Sequence, residues 1–177
     1  MSNKQKRLLK EINSKKFGKE VLVYNMIGNL VYEFQTIHET SRVLGIPRSA
    51  ISSMCVGNSG RYHNYILRFK GEKDPGRSHF IKKSKNISYK GPFYFYIENI
   101  TNPIDRKIFI NKVSIERYIG LYNRDKKFQK GFKELLTKTD DDFIILKNYK
   151  IRFIYALSNS NIAKEVRQSG LVPEVIE

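Results

Sequence analysis

Within twelve residues, 36–47, the sequence writes both ends of one helix and the corner that follows it. Thr36 carries a short side-chain oxygen able to accept a free backbone N–H, and Glu39, three residues on, completes a capping box. Ile37, Thr40, Val43 and Leu44 recur at helical spacing. Gly45 ends the helix because it takes the left-handed conformation without a Cβ clash, and Ile46-Pro47 turns the chain. A second helix is expected at 48–56. Two short helices joined by a glycine-containing turn read as helix-turn-helix.

The flanks supply strands. Val21-Leu22-Val23-Tyr24 and Leu30–Phe34 are rich in β-branched and aromatic residues, and Gly28 lies in the turn between them. Gly57, Asn58 and Gly60 form a loop before a closing strand at 65–69. The second half runs through a similar order. Strands are expected at 93–97 and 106–110, with a turn at 99–105 containing Pro103. Ser114 is expected to cap a helix, as Thr36 does, and Ile119-Gly120-Leu121 stands where Leu44-Gly45-Ile46 stood. A longer helix is expected at 124–138, then a strand at 149–153 whose Tyr-Lys-Ile-Arg-Phe resembles the Tyr-Ile-Leu-Arg-Phe of 65–69. The fold class is therefore read as α+β: two small ββααβ units, each with a helix-turn-helix, joined by a basic linker and followed by a short C-terminal helix. The competing reading is that the two halves share strand–helix order by chance. The expected boundaries are a basic N-terminal arm at 1–20, a first unit at 21–69, a linker at 70–90, a diverged second unit at 91–157 and a tail at 158–177. A helix at 4–16 would carry Leu8, Leu9 and Ile12 on one face. The tail helix would be capped by Ser158 or Ser160 and ended by Gly170.

Charge is distributed unevenly over this plan. The chain holds 33 Lys+Arg against 17 Asp+Glu, a net charge of +16. Such an excess repels itself in a compact state, and its common uses are nucleic acid and anionic membrane. The arm 1–20 and the linker 70–90 each carry seven basic and two acidic residues. The stretch 21–69 has four Arg, no Lys and two Glu. Lys suits mobile phosphate contact and Arg suits fixed, bidentate contact. Solvated tails would give the same composition, so position has to be combined with shape.

On the second helix, Ile51 and Met54 or Cys55 face inward. That leaves Arg48, Ser49, Ser52 and Ser53 on the open face, short enough for the helix to lie deep in a major groove. Arg48 could reach guanine, and the serines could contact bases or phosphates. Arg42, Asn58 and Arg61 would flank the groove, with Lys82, Lys83 and Lys85 in the linker and Arg124, Lys126, Lys127 and Lys130 in the second unit holding phosphates. The plain alternative is a helical hairpin whose serines face water.

The residues that carry this order also carry a likeness. The segment 21–24, Gly28, Phe34, the stretch 36–45, Ile51 and the closing 65–69 resemble the nuclease-associated modular DNA-binding repeat, found beside HNH and GIY-YIG homing endonucleases and in phage and organelle proteins. The likeness covers 21–69 and, more loosely, 93–154. It implies duplex DNA contact through the second helix, hence through Arg48, Ser49, Ser52 and Ser53. Ser41 departs from the small apolar residue common there.

Catalytic and cofactor signatures are not found. His38, His63 and His79 fall on a helix, before a strand and in the linker, and nothing in the sequence assembles them into an HNH centre. Tyr118-Ile119-Gly120 matches three letters of a GIY-YIG signature but falls at a predicted helix end. No phosphate-binding loop, dinucleotide fingerprint or nucleophile motif occurs, so neither an enzyme nor a cofactor is expected. Asp140, Asp141 and Asp142 read as a charged turn before a strand rather than a metal site. Cys55 stands alone, excluding an internal disulfide. No apolar run reaches about 18 residues and the N-terminus lacks an apolar signal core, so an intracellular protein without membrane contact is expected. The expected partner is double-stranded DNA, in a phage or mobile-element regulator or accessory factor, for example in transcription regulation. Two other readings stand beside it. The 11 Tyr and 11 Phe suit an RNA-binding or ribonucleoprotein component, and basic arms also suit a virion or assembly protein. The C-terminal tail could pack on the second unit or engage a protein partner.

Overall fold

A computed structural model describes residues 18–82, 88–89, 91–121 and 125–174, together with Gln5. The fold mixes helix and strand in the α+β manner. Among the described residues two compact units are formed: one comprises residues 18–25 and 30–74, and the other residues 26–29 and those from 75 to 174.

In the first unit, β1 (Val21–Tyr24) pairs antiparallel with both β2 (Leu30–Phe34) and β3 (Ile66–Phe69), giving the order β2-β1-β3. Alternation along β1 puts Val21 and Val23 on one face, and both are fully buried. Against that face pack α1 (Ile37–Leu44) and α2 (Arg48–Cys55). Val21, Val23, Phe34, Ile46, Ile51, Met54, Cys55, Leu67 and Phe69 close one apolar core. Each helix is too short to persist alone in water, so burial of this face is what holds it.

The local signals of α1 act much as the sequence suggests. The Thr36 hydroxyl accepts from Glu39 N–H at 3.1 Å, and Gly45 sits at φ +67° as the left-handed cap. The Glu39 carboxylate reaches back one residue further than a capping box does, accepting from Gln35 N–H at 3.0 Å. The helix expected at 4–16 lies outside the described residues, apart from Gln5.

Within 70–90, Arg77–Phe80 form a short helix, α3, whose Phe80 enters the core of the second unit. Ile81–Lys82 (β4) pair with Ser88–Tyr89 (β5).

In the second unit, β6 (Phe93–Asn99) is the central strand of a five-stranded sheet. Writing β7 for Arg106–Phe109, β8 for Ile144–Leu146, β9 for Tyr149–Tyr155 and β10 for Pro173–Glu174, its order is β10-β7-β6-β9-β8. All neighbours are antiparallel except β10, which joins β7 in parallel. Residues 93–97 of β6 are all buried, so this strand reads as a continuous apolar run rather than an alternation. Phe93, Phe95, Phe109, Ile151 and Phe153 form the core with residues of α4 (Lys112–Tyr118) and α5 (Lys126–Thr137). Phe93 stacks on Phe153 with ring centroids 4.6 Å apart. In the three-stranded and the five-stranded sheet alike, the first strand in the chain lies between the second and a later one, antiparallel to both.

Several local expectations differ from what forms. Asn111, not Ser114, caps α4: its side-chain oxygen accepts from Ser114 N–H at 2.7 Å, and Ser114 is buried inside the first turn. Asn shares the short reach that makes Ser and Thr good caps, so composition alone leaves the choice open. Asp125 caps α5, and Ser160 caps α6 (Asn161–Gln168). Gly170, at φ +72°, follows α6.

Candidate nucleic-acid interface

The helix-turn-helix forms as two consecutive helices. On α2, Ile51, Met54 and Cys55 are buried, while Arg48, Ser49 and Ser52 are exposed and Ser53 is half-buried. Positions 49, 52, 53 and 56 fall on one face of the helix by spacing, and Val56, at the end of that face, is also exposed. The outer face is thus made of small side chains with one guanidinium at its N-terminal end.

That guanidinium is oriented by a residue outside the set expected from the sequence. Arg48 donates from Nη2 to Nδ1 of His38, on α1. Since Arg can only donate, His38 Nδ1 is the accepting atom of this contact. Arg42 stands one turn beyond His38 on α1 and is likewise exposed. His38, Arg42 and Arg48 therefore belong to the helix pair's outer surface. The four-residue spacing of His38 and Arg42 is a signal in the sequence, but nothing local joins them to Arg48.

The loop after α2 turns sharply. Ser53 carbonyl accepts from both Asn58 N–H at 2.9 Å and Ser59 N–H at 3.2 Å. This fold-back leaves Asn58 and Arg61 exposed. Behind α2, burial raises the Cys55 thiol to about 12, with Arg68 opposing the shift, so the thiol is neutral and packed as a small apolar group.

The other expected contacts lie in the second unit. Lys126, Lys127 and Lys130 are exposed on α5, beside exposed Lys133 and Glu134, while Phe128, Phe132, Leu135 and Leu136 anchor its inner face. Lys82 lies in β4, but its side chain is outside what is described. Lys83, Lys85 and Arg124 lie outside the described residues.

Asp140, expected in a charged turn before a strand, is buried. It accepts from Arg77 Nη1 at 2.7 Å, Tyr155 N–H at 3.0 Å and Ser160 Oγ at 3.2 Å. Among the described residues no group of three or more His, Cys, Asp or Glu could hold a metal ion, and no helix is long and apolar enough to cross a membrane.

This geometry coincides with a family match. Residues 19–53 match the NUMOD1 domain. NUMOD1 is a nuclease-associated modular DNA-binding domain, so the chain carries a module whose role is to bind DNA. The module is a binding one and not a catalytic one. The NUMOD1 match spans β1, β2, α1 and α2 as far as Ser53, and so includes Arg42, Arg48, Ser49 and Ser52; it ends before β3. No curated protein and no solved structure matches the chain.

Proposed function

We propose that this chain is a sequence-directed double-stranded DNA-binding protein, a regulator or accessory factor of phage or mobile-element type, without a catalytic step of its own. In this reading α2 enters the major groove. Arg48 pairs with a guanine edge, Ser49, Ser52 and Ser53 approach base edges or phosphates, and Val56 suits the methyl group of thymine. Arg42, Asn58 and Arg61 hold the phosphates beside the groove. The lysines of α5 and of the segments 1–20 and 70–90 supply contacts that carry affinity without sequence.

The observation that carries this reading is the outer face of α2 inside the NUMOD1 match: small polar side chains and one oriented arginine, on a helix whose opposite face is locked in a core. The strand order shared by the two units also supports a duplicated scaffold, with the second copy adapted to phosphate contact.

Selection of bound duplexes from a random DNA pool tests this directly. An enriched motif is expected, and Arg48→Ala should then lose about 1–3 kcal/mol of discrimination at one base pair. Equal binding of all duplexes, or stronger binding of single-stranded RNA in competition, would overturn it.

A further inference from the structure

Resting on the reading of α2 as the groove-facing helix, we propose that Arg68, braced by Asp74, is a positioning residue that fixes where α2 stands on the sheet, and thereby which DNA sequence is read. Arg68 lies beyond the matched residues and is 5% exposed, so its role is exerted through the helix.

The end chemistry of α2 is weak. Pro47 at its N-cap offers no side-chain hydrogen bond, and its last turn carries no basic residue. Apolar packing of Ile51, Met54 and Cys55 holds the helix down, but burial is non-directional and does not by itself fix a slide or a tilt. The turn that folds back over its end, including Gly57 N–H to Met54 carbonyl at 3.0 Å, follows directly on in the chain and moves with the helix.

Arg68 is different because it belongs to the sheet, opposite Leu22 of β1. Its Nη1 donates to Met54 carbonyl at 2.8 Å and to Leu67 carbonyl at 2.8 Å, while its Nε donates to Asp74 Oδ1 at 2.8 Å. One planar, buried guanidinium thus ties the C-terminal turn of α2 to β3, with an acidic residue holding the plane. The cation also faces the negative end of the helix dipole.

Serine makes this fixity matter. Ser49 and Ser52 each have one rotatable bond to their hydroxyl, so neither can follow a displaced helix back to its base. A long side chain could. Recognition through short side chains therefore needs the helix itself held to a fraction of an ångström, which is the task of supporting hydrogen bonds behind a site.

The experiment uses the full chain with its selected duplex and a scrambled duplex, and the variants Asp74→Asn, Arg68→Lys and Arg68→Met. Lys73→Ala is the control for a nearby charge: as a lysine of segment 70–90 it bears on both affinities alike and not on their ratio. Lysine keeps the charge but not the fork. Far-UV circular dichroism establishes folding, and backbone amide shifts of 49–55, taken without DNA, report the helix position. Asp74→Asn and Arg68→Lys should move those amides. They should also lower the ratio of selected to scrambled affinity by about tenfold, roughly the loss of one base contact, while scrambled affinity stays within about twofold. Lys73→Ala should leave the ratio unchanged. If Arg68→Met fails to fold, the two milder variants decide. Folded variants with wild-type amide shifts and a wild-type ratio would overturn the positioning role, as would a parallel loss of both affinities. A wild-type protein with no preferred duplex would overturn the reading of α2 instead, and the amide shifts would still report on the tie between Arg68 and the helix.

Discussion

Replacing Asp140 by alanine should destabilise the second unit by about 4 kcal/mol. The carboxylate is 5% exposed and accepts from Arg77, Tyr155 N–H and Ser160 Oγ. The charge-assisted bond to Arg77 is worth about 1.5–3 kcal/mol, and leaving the buried Tyr155 N–H unpaired costs about 1–3 kcal/mol. Their sum brackets the 3–5 kcal/mol typical of breaking one side of a buried ion pair. Burial pushes the Arg77 guanidinium below its ordinary value and Asp140 pulls it back. The variant therefore strands a charge that cannot leave. For a unit of this size about 4 °C or more is lost per kcal/mol, so the midpoint should fall by roughly 15 °C or more. Urea unfolding followed by circular dichroism, fitted with a transition for each unit, measures it. The double variant Arg77→Met with Asp140→Leu should recover part of the loss, because two desolvated charges go together. It does not recover all, since Arg77 also donates to Leu135 carbonyl at 2.8 Å and Phe153 carbonyl at 2.7 Å. A loss under about 1 kcal/mol for Asp140→Ala, or a double variant equal to the sum of the singles, would refute the reasoning.

Two further outcomes are expected. With its thiol raised from 9.0 to about 12, Cys55 should resist a thiol reagent at pH 8 until urea unfolds the first unit; because the unfolded thiol ionises first, the protonated folded form contributes stability below about pH 9 that is lost as pH rises towards 12, and equal labelling rates in native and unfolded protein would contradict this. Replacing Lys126, Lys127 and Lys130 together by alanine should weaken binding to selected and scrambled duplexes alike and reduce the slope of log affinity against log salt by about 1 for each phosphate left without its lysine, whereas a change confined to the selected duplex would exclude a phosphate role for α5.

What could be read from the sequence was what neighbours decide. Thr36, Glu39 and Gly45 fix α1 through atoms three or four residues apart, so their chemistry is visible in a short window. The outer face of α2 is equally visible, because burying Ile51 and Met54 dictates where Ser49 and Ser52 point. The Arg77–Asp140 pair is not visible, since its partners are 63 residues apart and each has an ordinary solvated reading. Arg68 is hidden for a related reason: a strand residue between Leu67 and Phe69 reads as facing solvent until Asp74 and Met54 carbonyl are seen around it. The two-residue β10 has no periodicity to detect, and only its pairing to β7 defines it. His38 draws attention in the sequence as a possible metal ligand, which obscures its role as the neighbour of Arg48.

The division of labour across α2 has an evolutionary consequence. Ile51, Met54 and Cys55 bear on the core, whereas Ser49 and Ser52 bear on nothing inside the unit. Exposed positions of this kind usually tolerate exchange within about 0.5 kcal/mol. Mutation can therefore explore new outer faces without first finding compensating changes in the scaffold. With α2 as the proposed reading helix, a lineage built on this unit is free to drift in what it recognises while remaining conservative in how it folds.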